Sequence, residues 1–587
     1  MKNLLPHKYR PWLLTLVFGL VVFLFWRIRY PFALTYQEQL QLFLFDSDYF
    51  CSRMAEPGGF ARYVAEFLIQ FYNSVTIGAL TIAVLYMLVQ QLTWRLMRSD
   101  SYYVWSFVPV IMLWYAMGDE SVMLTYVVAL LMAMAAALAW RLIILVQLVK
   151  LFRLARLVQL VIMLVAIPLL YWLIGPMVLL AVLLMMPWTQ ADPCRPGNDG
   201  WRYWFDVQAF VYALALILLS AHCLPFPMLR VVLGISYYRI PETMPYVLMA
   251  IPVVIWIMAL FIKKLPQPKQ WVFYAQALVV AVLILVPKEF GFDAKKYDLI
   301  EYDYLVRIGD WKGIIAKAEK QMPDLPMSVS ATNLALGMTN QLGDRAFDFY
   351  QRGSEGLLPK FERNFATSQL TGEIYFNLGL VNTAQRFAFE AMEAIPNYNK
   401  SARVVKRLAE TNLINGQYEV ARKYLQMLEK TIFYRPWAQR TMTMLGDEKA
   451  IDAHPLYGKL RQYRLQEDFL FSDRELDKIC GQLFIHNQQN QMAAQYLLMM
   501  PLLDRDIPRF MSYVKVVQNR IGYNPRHCQE GIAFAFMQQR QQPPQGVVNP
   551  LILQQMNEYA QAYSQNQNSP ELNRFRNTVW YYLTVGK

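Results

Sequence analysis

Four carboxylates stand close to long apolar runs: Asp46 and Asp48 in an Asp-x-Asp, and the adjacent pair Asp119-Glu120. Four arginines, Arg53, Arg62, Arg230 and Arg239, occupy similar segments between apolar runs. A carboxylate at a dry interface can act as a general base, because poor solvation raises its affinity for a proton. An Asp-Glu pair can also hold a divalent cation or orient an acceptor through hard oxygen ligands. Arginine offers a planar fork that meets a phosphate bidentately. Each group has a plain reading beside the chemical one, since hairpin tips reach water and an acid there can simply be a polar turn.

The elements that must position these groups belong to two solvents. Residues 1–290 hold fewer than a third of the 43 acidic residues, and stretches such as 12–26 and 122–140 carry no charge. Apolar runs of this kind approach the roughly 20 residues needed to cross a hydrocarbon core about 30 Å thick. Spans are expected near 12–28, 71–93, 104–117, 122–147, 158–174, 177–187, 208–224, 244–262 and 271–287. Tight hairpins are expected at Gly118-Asp119-Glu120 and Gly175-Pro176, each with a proline upstream (Pro109, Pro168), which suggests a weak internal repeat. The N-terminal run leads into Arg27-Ile28-Arg29 rather than a small-residue cleavage site, so it reads as a retained span.

A net charge of +13 could suggest nucleic acid, but Lys8, Arg10, Arg95, Arg98, Lys150, Arg153, Lys263 and Lys264 flank the spans instead. That is how topology-setting charges are distributed, and their balance places the N-terminus in the cytoplasm. Nine spans then carry the second half of the chain to the far side. Reading 158–187 as one kinked helix would reverse that. The first outer loop, 29–66, is expected to hold an amphipathic helix lying in the interface, with Leu40, Phe43 and Leu44 toward lipid. The Pro-rich 224–245 segment, with Tyr237-Tyr238-Arg239, is a candidate re-entrant loop near the same site.

Residues 291–587 read as water-soluble helical repeats. Gly-centred turns recur at Gly309, Gly343, Gly379 and Gly416, spaced by 34, 36 and 37 residues, and prolines close the units at Pro323, Pro359, Pro396 and Pro436. A period near 34 residues with glycine in the inter-helix turn is similar to the tetratricopeptide repeat. Such units stack into an α-solenoid with a concave groove suited to a protein or glycan partner. The expected fold class is therefore all-α, a polytopic helical membrane domain (1–290) followed by a tetratricopeptide-like solenoid (291–587). No GxxxxGK[ST] or HExxH occurs, and the five cysteines have no metal-binding spacing, which argues against a P-loop motor or a zincin protease.

An acidic first outer loop followed by an acidic second outer turn resembles the GT-C superfamily of membrane glycosyltransferases. The stretches PGGFARYVAEFLIQFYNS, IGDWKGIIAKAEKQMP and NLALGMTNQLGDRAFDFYQRGSEGLL resemble an uncharacterised, Bacteroidota-type family of polytopic membrane proteins. The GT-C resemblance implies a polyprenyl-phosphate sugar donor, chemistry on the outer face of a bacterial inner membrane and a periplasmic repeat domain. It would make Asp46 or Asp48 the general base. Asp119 and Glu120 would hold a divalent cation or the acceptor, and Arg53, Arg62, Arg230 or Arg239 the lipid phosphate. The adjacent Asp119-Glu120 departs from the spaced acidic pair of several GT-C branches. The competing reading is a non-enzymatic membrane scaffold whose repeats assemble an envelope complex. An odd number of crossings predicts that a reporter fused after Lys587 works only outside the cytoplasm; activity confined to the cytosol would reverse the topology.

Overall fold

The computed structural model describes residues 10–145, 155–189, 199–239, 244–267, 270–360, 362, 364–396, 399–465, 475–567 and 569–586. Lys8, Lys150 and Arg153 lie outside these residues. The described chain is helical, and its β-pairing is limited to isolated bridges. It divides into two compact units. The first comprises Met1–Tyr297 with the short segments Pro396–Asn399 and Lys430–Phe433, and the second holds the remainder.

In the first unit the chain forms α1 (Arg10–Leu24), α2 (Pro31–Glu38), α3 (Ser47–Met54), α4 (Gly59–Ile69), α5 (Val75–Met97), α6 (Phe107–Ala116) and α7 (Leu124–Leu145). It continues as α8 (Ala155–Ile174), α9 (Val178–Thr189), α10 (Asp199–Cys223), α11 (Met228–Leu233), α12 (Tyr246–Phe261) and α13 (Gln270–Phe290). Among the described residues six stretches, of 19 to 24 residues, are long and apolar enough to cross a membrane, and Tyr103–Ala116 and Trp271–Leu285 are shorter apolar helices. These features are those of a membrane protein. Among the described residues fewer stretches meet the length than the nine expected, partly because Met163–Met186 is one apolar stretch covering most of the expected fifth and sixth spans. A turn does interrupt it at Gly175, whose φ is +63°. Tyr171 meets Ser220 and the Tyr212 hydroxyl donates to the Leu164 carbonyl, so α8 and α10 run in the same direction. The end of α8 and the start of α9 both meet the Tyr237 hydroxyl, and α9 packs along α7.

Polar side chains pin these helices together. Thr15 donates to Gln90 Oε1 at 2.8 Å, and Gln90 Nε2 donates to Ser106 Oγ at 2.7 Å, all three side chains being buried. Such bonds tie α1 and α5 to the turn that opens α6, where lipid could not satisfy the same groups. The segment 29–66 differs from expectation. Its helix ends at Glu38, residues 41–46 are irregular, and Leu40 and Phe43 are buried instead of facing lipid. Phe43 sits in an aromatic cluster with Phe45, Tyr49, Tyr63 and Phe67, which offers more contact than a lipid chain.

The second unit is built from antiparallel helix pairs. Ala294–Ile308 (α14) begins in the first unit and leads to α15 (Trp311–Lys320), α16 (Pro326–Met338) and α17 (Leu342–Arg345). Then follow α18 (Phe365–Leu378), α19 (Val381–Glu393), α20 (Ala402–Ile414) and α21 (Tyr418–Glu429), and further helices reach Thr584. Gly309, Gly379 and Gly416 have positive φ, as their turns require, but Gly343 does not. There Asn340 (φ +57°) takes the left-handed position, and Gly343 instead packs against Pro525 and Tyr523. Asparagine tolerates that conformation because its short polar side chain bonds locally. The helix Gln491–Leu503 has every residue buried except its first, and packs against α16, α17 and α18. A helix distant in sequence is thus enclosed among the earlier helices of the same unit. Between α14, α18 and α20, Arg403 grips Asp303 at 2.8 and 3.1 Å, and Arg407 grips Glu373 at 2.7 and 2.9 Å. Burial works to raise the Glu373 carboxyl, yet the two arginines hold it below its ordinary range.

Gly379 (φ +98°) has no room for a side chain: a Cβ there would lie 2.7 Å from that of Tyr463. Gly446 (φ +83°) has nothing within 4 Å. Gly379→Ala is therefore expected to lose about 2–3 kcal/mol, backbone strain plus overpacking, and Gly446→Ala about 1 kcal/mol from strain alone. Thermal unfolding of the purified chain checks the order of the two midpoints.

Candidate functional site

Two breaks in helical structure meet in the first unit. Residues 118–123 connect α6 to α7, and residues 234–239 follow α11. They pair as backbone: Val122 and Tyr238 form an antiparallel bridge, Met123 N–H donates to Tyr237 O at 3.0 Å, and Arg239 N–H donates to Ser121 O at 2.8 Å. Gly118 is required by a close approach, since a Cβ would fall 1.9 Å from the Gly291 carbonyl oxygen. Just beyond Gly291, Tyr297 donates to the Gly118 carbonyl at 2.8 Å, and its hydroxyl is held in the protonated form, mainly by burial.

This pairing brings three of the candidate residues together. Asp119 accepts from the Tyr238 hydroxyl at 2.6 Å and from Ser121 N–H at 2.9 Å. Glu120 forms an ion pair with Lys296 through Oε1, while its Oε2 is buried without a hydrogen-bond partner. Arg239 is 5% exposed and donates from Nε to the Glu120 carbonyl at 3.3 Å; its Nη1 is buried and unpartnered. Burial pushes the Arg239 guanidinium down to about 10, against the pull of Tyr36, Glu120, Asp119 and Glu66, so it stays charged at neutral pH. The site therefore presents one buried acceptor and one buried cationic donor, each costly to leave unmet.

The remaining candidates lie elsewhere in the unit. Asp46 caps α3, accepting from Asp48 N–H at 3.4 Å, and pairs with Lys430 at 2.5 Å. The Lys430 ammonium holds the Asp46 carboxyl below its ordinary range. Asp48 is exposed. No contact among the described residues joins either acid to Asp119 or Glu120. Arg53 and Arg62 converge on Glu66, which is fully buried, at 2.7 and 3.0 Å. Tyr49 also donates to Glu66, and Arg62 reaches Glu56 at 3.0 Å and Asn399 at 2.9 Å. Burial, reinforced by the Glu66 charge, keeps Tyr49 protonated. Arg230 lies over the Phe226 ring and donates to the Ile235 carbonyl at 3.4 Å.

With Glu120 already neutralised by Lys296 and Asp119 accepting two hydrogen bonds, the pair does not fit a bound divalent cation. Among the described residues no three His, Cys, Asp or Glu side chains gather as a ligand set. Tyr237, two residues before Arg239, also walls an apolar cavity of about 340 Å³, lined by Tyr126, Met177, Leu248 and Trp256 among others.

A family model described as a family of unknown function, DUF6057, matches residues 7–586, almost the entire chain. The chain belongs to that family. No curated protein and no solved structure matches it. For this DUF6057 chain the site must accordingly be read from its own residues. Glu66, Tyr49, Tyr238 and Lys296 were not among the candidates, although Arg62 and Glu66 at i, i+4 in an apolar helix were a visible signal.

Removing Glu66 strands two guanidinium groups around it. Glu66→Ala is expected to cost about 3–5 kcal/mol, as for breaking other buried ion pairs. Asp46→Asn, at an exposed pair, is expected to leave the midpoint unchanged. Thermal unfolding of the full chain in detergent measures both, and equal midpoints would show that Glu66 organises nothing.

Proposed function

We propose that this chain is a multi-pass membrane transferase resembling the GT-C glycosyltransferases, acting on a polyprenyl-phosphate sugar on the outer face of a bacterial inner membrane. The observation that carries the reading is the buried, unpartnered Nη1 of Arg239 in one cluster with the unpartnered Oε2 of Glu120. Arg239 meets the phosphate of the lipid donor, where a guanidinium forms strong charge-assisted bonds. Glu120 Oε2 takes the proton of the acceptor hydroxyl. The acceptor oxygen then bonds to the anomeric carbon while the bond from that carbon to the phosphate oxygen breaks. Polyprenyl phosphate leaves against Arg239, and the sugar inverts. Asp119, fixed by Tyr238 and Ser121, orients the acceptor. The apolar cavity beside Tyr237 suits the lipid portion. Nine crossings, a periplasmic second unit and tetratricopeptide-like stacking complete the proposal, with the second unit recruiting the acceptor or a protein partner.

This assignment moves the base from Asp46 or Asp48 to Glu120, because both oxygens of Asp46 are engaged, by its cap and by Lys430, and Asp48 is exposed, whereas Glu120 keeps a buried, unpartnered Oε2 beside its Lys296 pair. The scaffold reading is favoured by that engagement and by the Arg62 bond to Asn399, which use candidate chemistry for structure.

Complementation of a strain lacking the protein separates the two. Glu120→Gln and Arg239→Gln are expected to insert normally yet lower function by at least about a hundredfold, the scale of general-base loss. Asp48→Asn is expected to complement fully. Full complementation by both site variants, at normal membrane abundance, would remove the transferase and leave the scaffold.

A further inference from the structure

At the ends of α1, α5 and α7 nearest Arg10, Met97 and Leu142, a second cavity of about 460 Å³ opens between apolar helices. Its wall holds Arg95, Arg98 and Arg141 with the indoles of Trp12 and Trp94, and one carboxylate, Asp100. The indoles meet edge to face, 6.3 Å between centroids. Lys263 is near enough to Arg98 for their charges to repel. Burial, with the nearby Arg141 charge, pushes the Arg98 guanidinium down to about 10. Arg98 also ends α5 in the left-handed region, φ +54° and ψ +32°, where glycine would relieve the steric cost. Flanking basic residues that only set topology need a place in a loop. Here Arg141 lies within helix α7, next to the end of the apolar stretch Leu124–Leu142, and three arginines converge on one cavity.

We propose that this cavity binds the phosphate headgroup of an anionic glycerophospholipid of the surrounding bilayer. Charge complementarity selects the occupant, since a basic cavity between membrane helices meets lipid phosphate in its own plane. Tryptophan pairs favour that headgroup level. On α1, past Trp12, the half-exposed apolar side chains of Leu13 and Leu16 offer surface to the acyl chains. The site lies at the opposite end of α1 from Arg27 and Arg29 and owes nothing to the transferase reading.

Native mass spectrometry of the full chain, released from micelles containing equal phosphatidylglycerol and phosphatidylcholine of matched acyl chains, tests the proposal. The wild type is expected to retain phosphatidylglycerol in preference. Arg98→Gln with Arg141→Gln is expected to lower that preference roughly fivefold for each arginine removed, the factor carried by one basic residue near an anionic surface. Arg27→Gln with Arg29→Gln removes the same charge elsewhere and is expected to leave it unchanged. Equal retention of the two lipids by the wild type would overturn the proposal without recourse to any variant. So would an equal loss in the Arg27/Arg29 control, which would assign the preference to net charge.

Discussion

Apolar surroundings leave a backbone one economical state, the helix, because every N–H and C=O must find a partner within the protein. Departures from helix therefore need partners from elsewhere in the protein. The first unit obeys this where residues 119–123 and 234–239 satisfy each other through the Val122–Tyr238 bridge and the bonds from Met123 and Arg239. Were the two segments to part, several buried polar groups would lose partners together. The pairing also fixes register, so that Tyr238 reaches Asp119 and Arg239 reaches the Glu120 carbonyl. The polar chemistry of the site is a consequence of a backbone obligation.

That origin explains which parts were legible in the sequence. Asp119-Glu120 and Tyr237-Tyr238-Arg239 stand out because polar residues are rare between apolar runs, and both lie in the site. Asp46-Ser47-Asp48 stood out by the same criterion and serves as a helix cap. An isolated sequence cannot separate these cases, since capping and catalysis select the same short acidic side chains. Arg53 and Arg62 were visible as cations, and the i, i+4 spacing of Arg62 and Glu66 marked one of the pairs, but Arg53 lies in another helix and reaches Glu66 only through the fold. Leu40 and Phe43 show the same limit: amphipathicity marks a face to be buried without naming what buries it. Here protein aromatic rings do so instead of lipid.

In the second unit the local turns were easier to read than what packs beyond them. Glycine marks Gly309, Gly379 and Gly416 because left-handed backbone nearly excludes other residues, and Asn340 is the exception that chemistry allows. The helix Gln491–Leu503, distant in sequence, packs against α16, α17 and α18, and no periodicity in those three announces it. The nearly all-round burial of α16 and α18 is the physical sign that another layer must exist. A helix apolar or small on every face belongs in an interior.

The same residue type takes different roles at the two ends of the apolar helices because its surroundings differ. Near Glu66, arginines meet carboxylates in fixed geometry, and the desolvation of one charge is offset by the other. Around Arg98 and Arg141, like charges crowd a cavity with a single carboxylate on its wall. Electrostatic self-energy rises as such charges gather, so an added anion lowers it. Arg239 stands between these extremes. It is near carboxylates without forming an ion pair within 4 Å among the described residues, and its guanidinium is bonded on one side. A cation held this way is neutralised too little to be only structural, and buried too deeply to be only a topology marker.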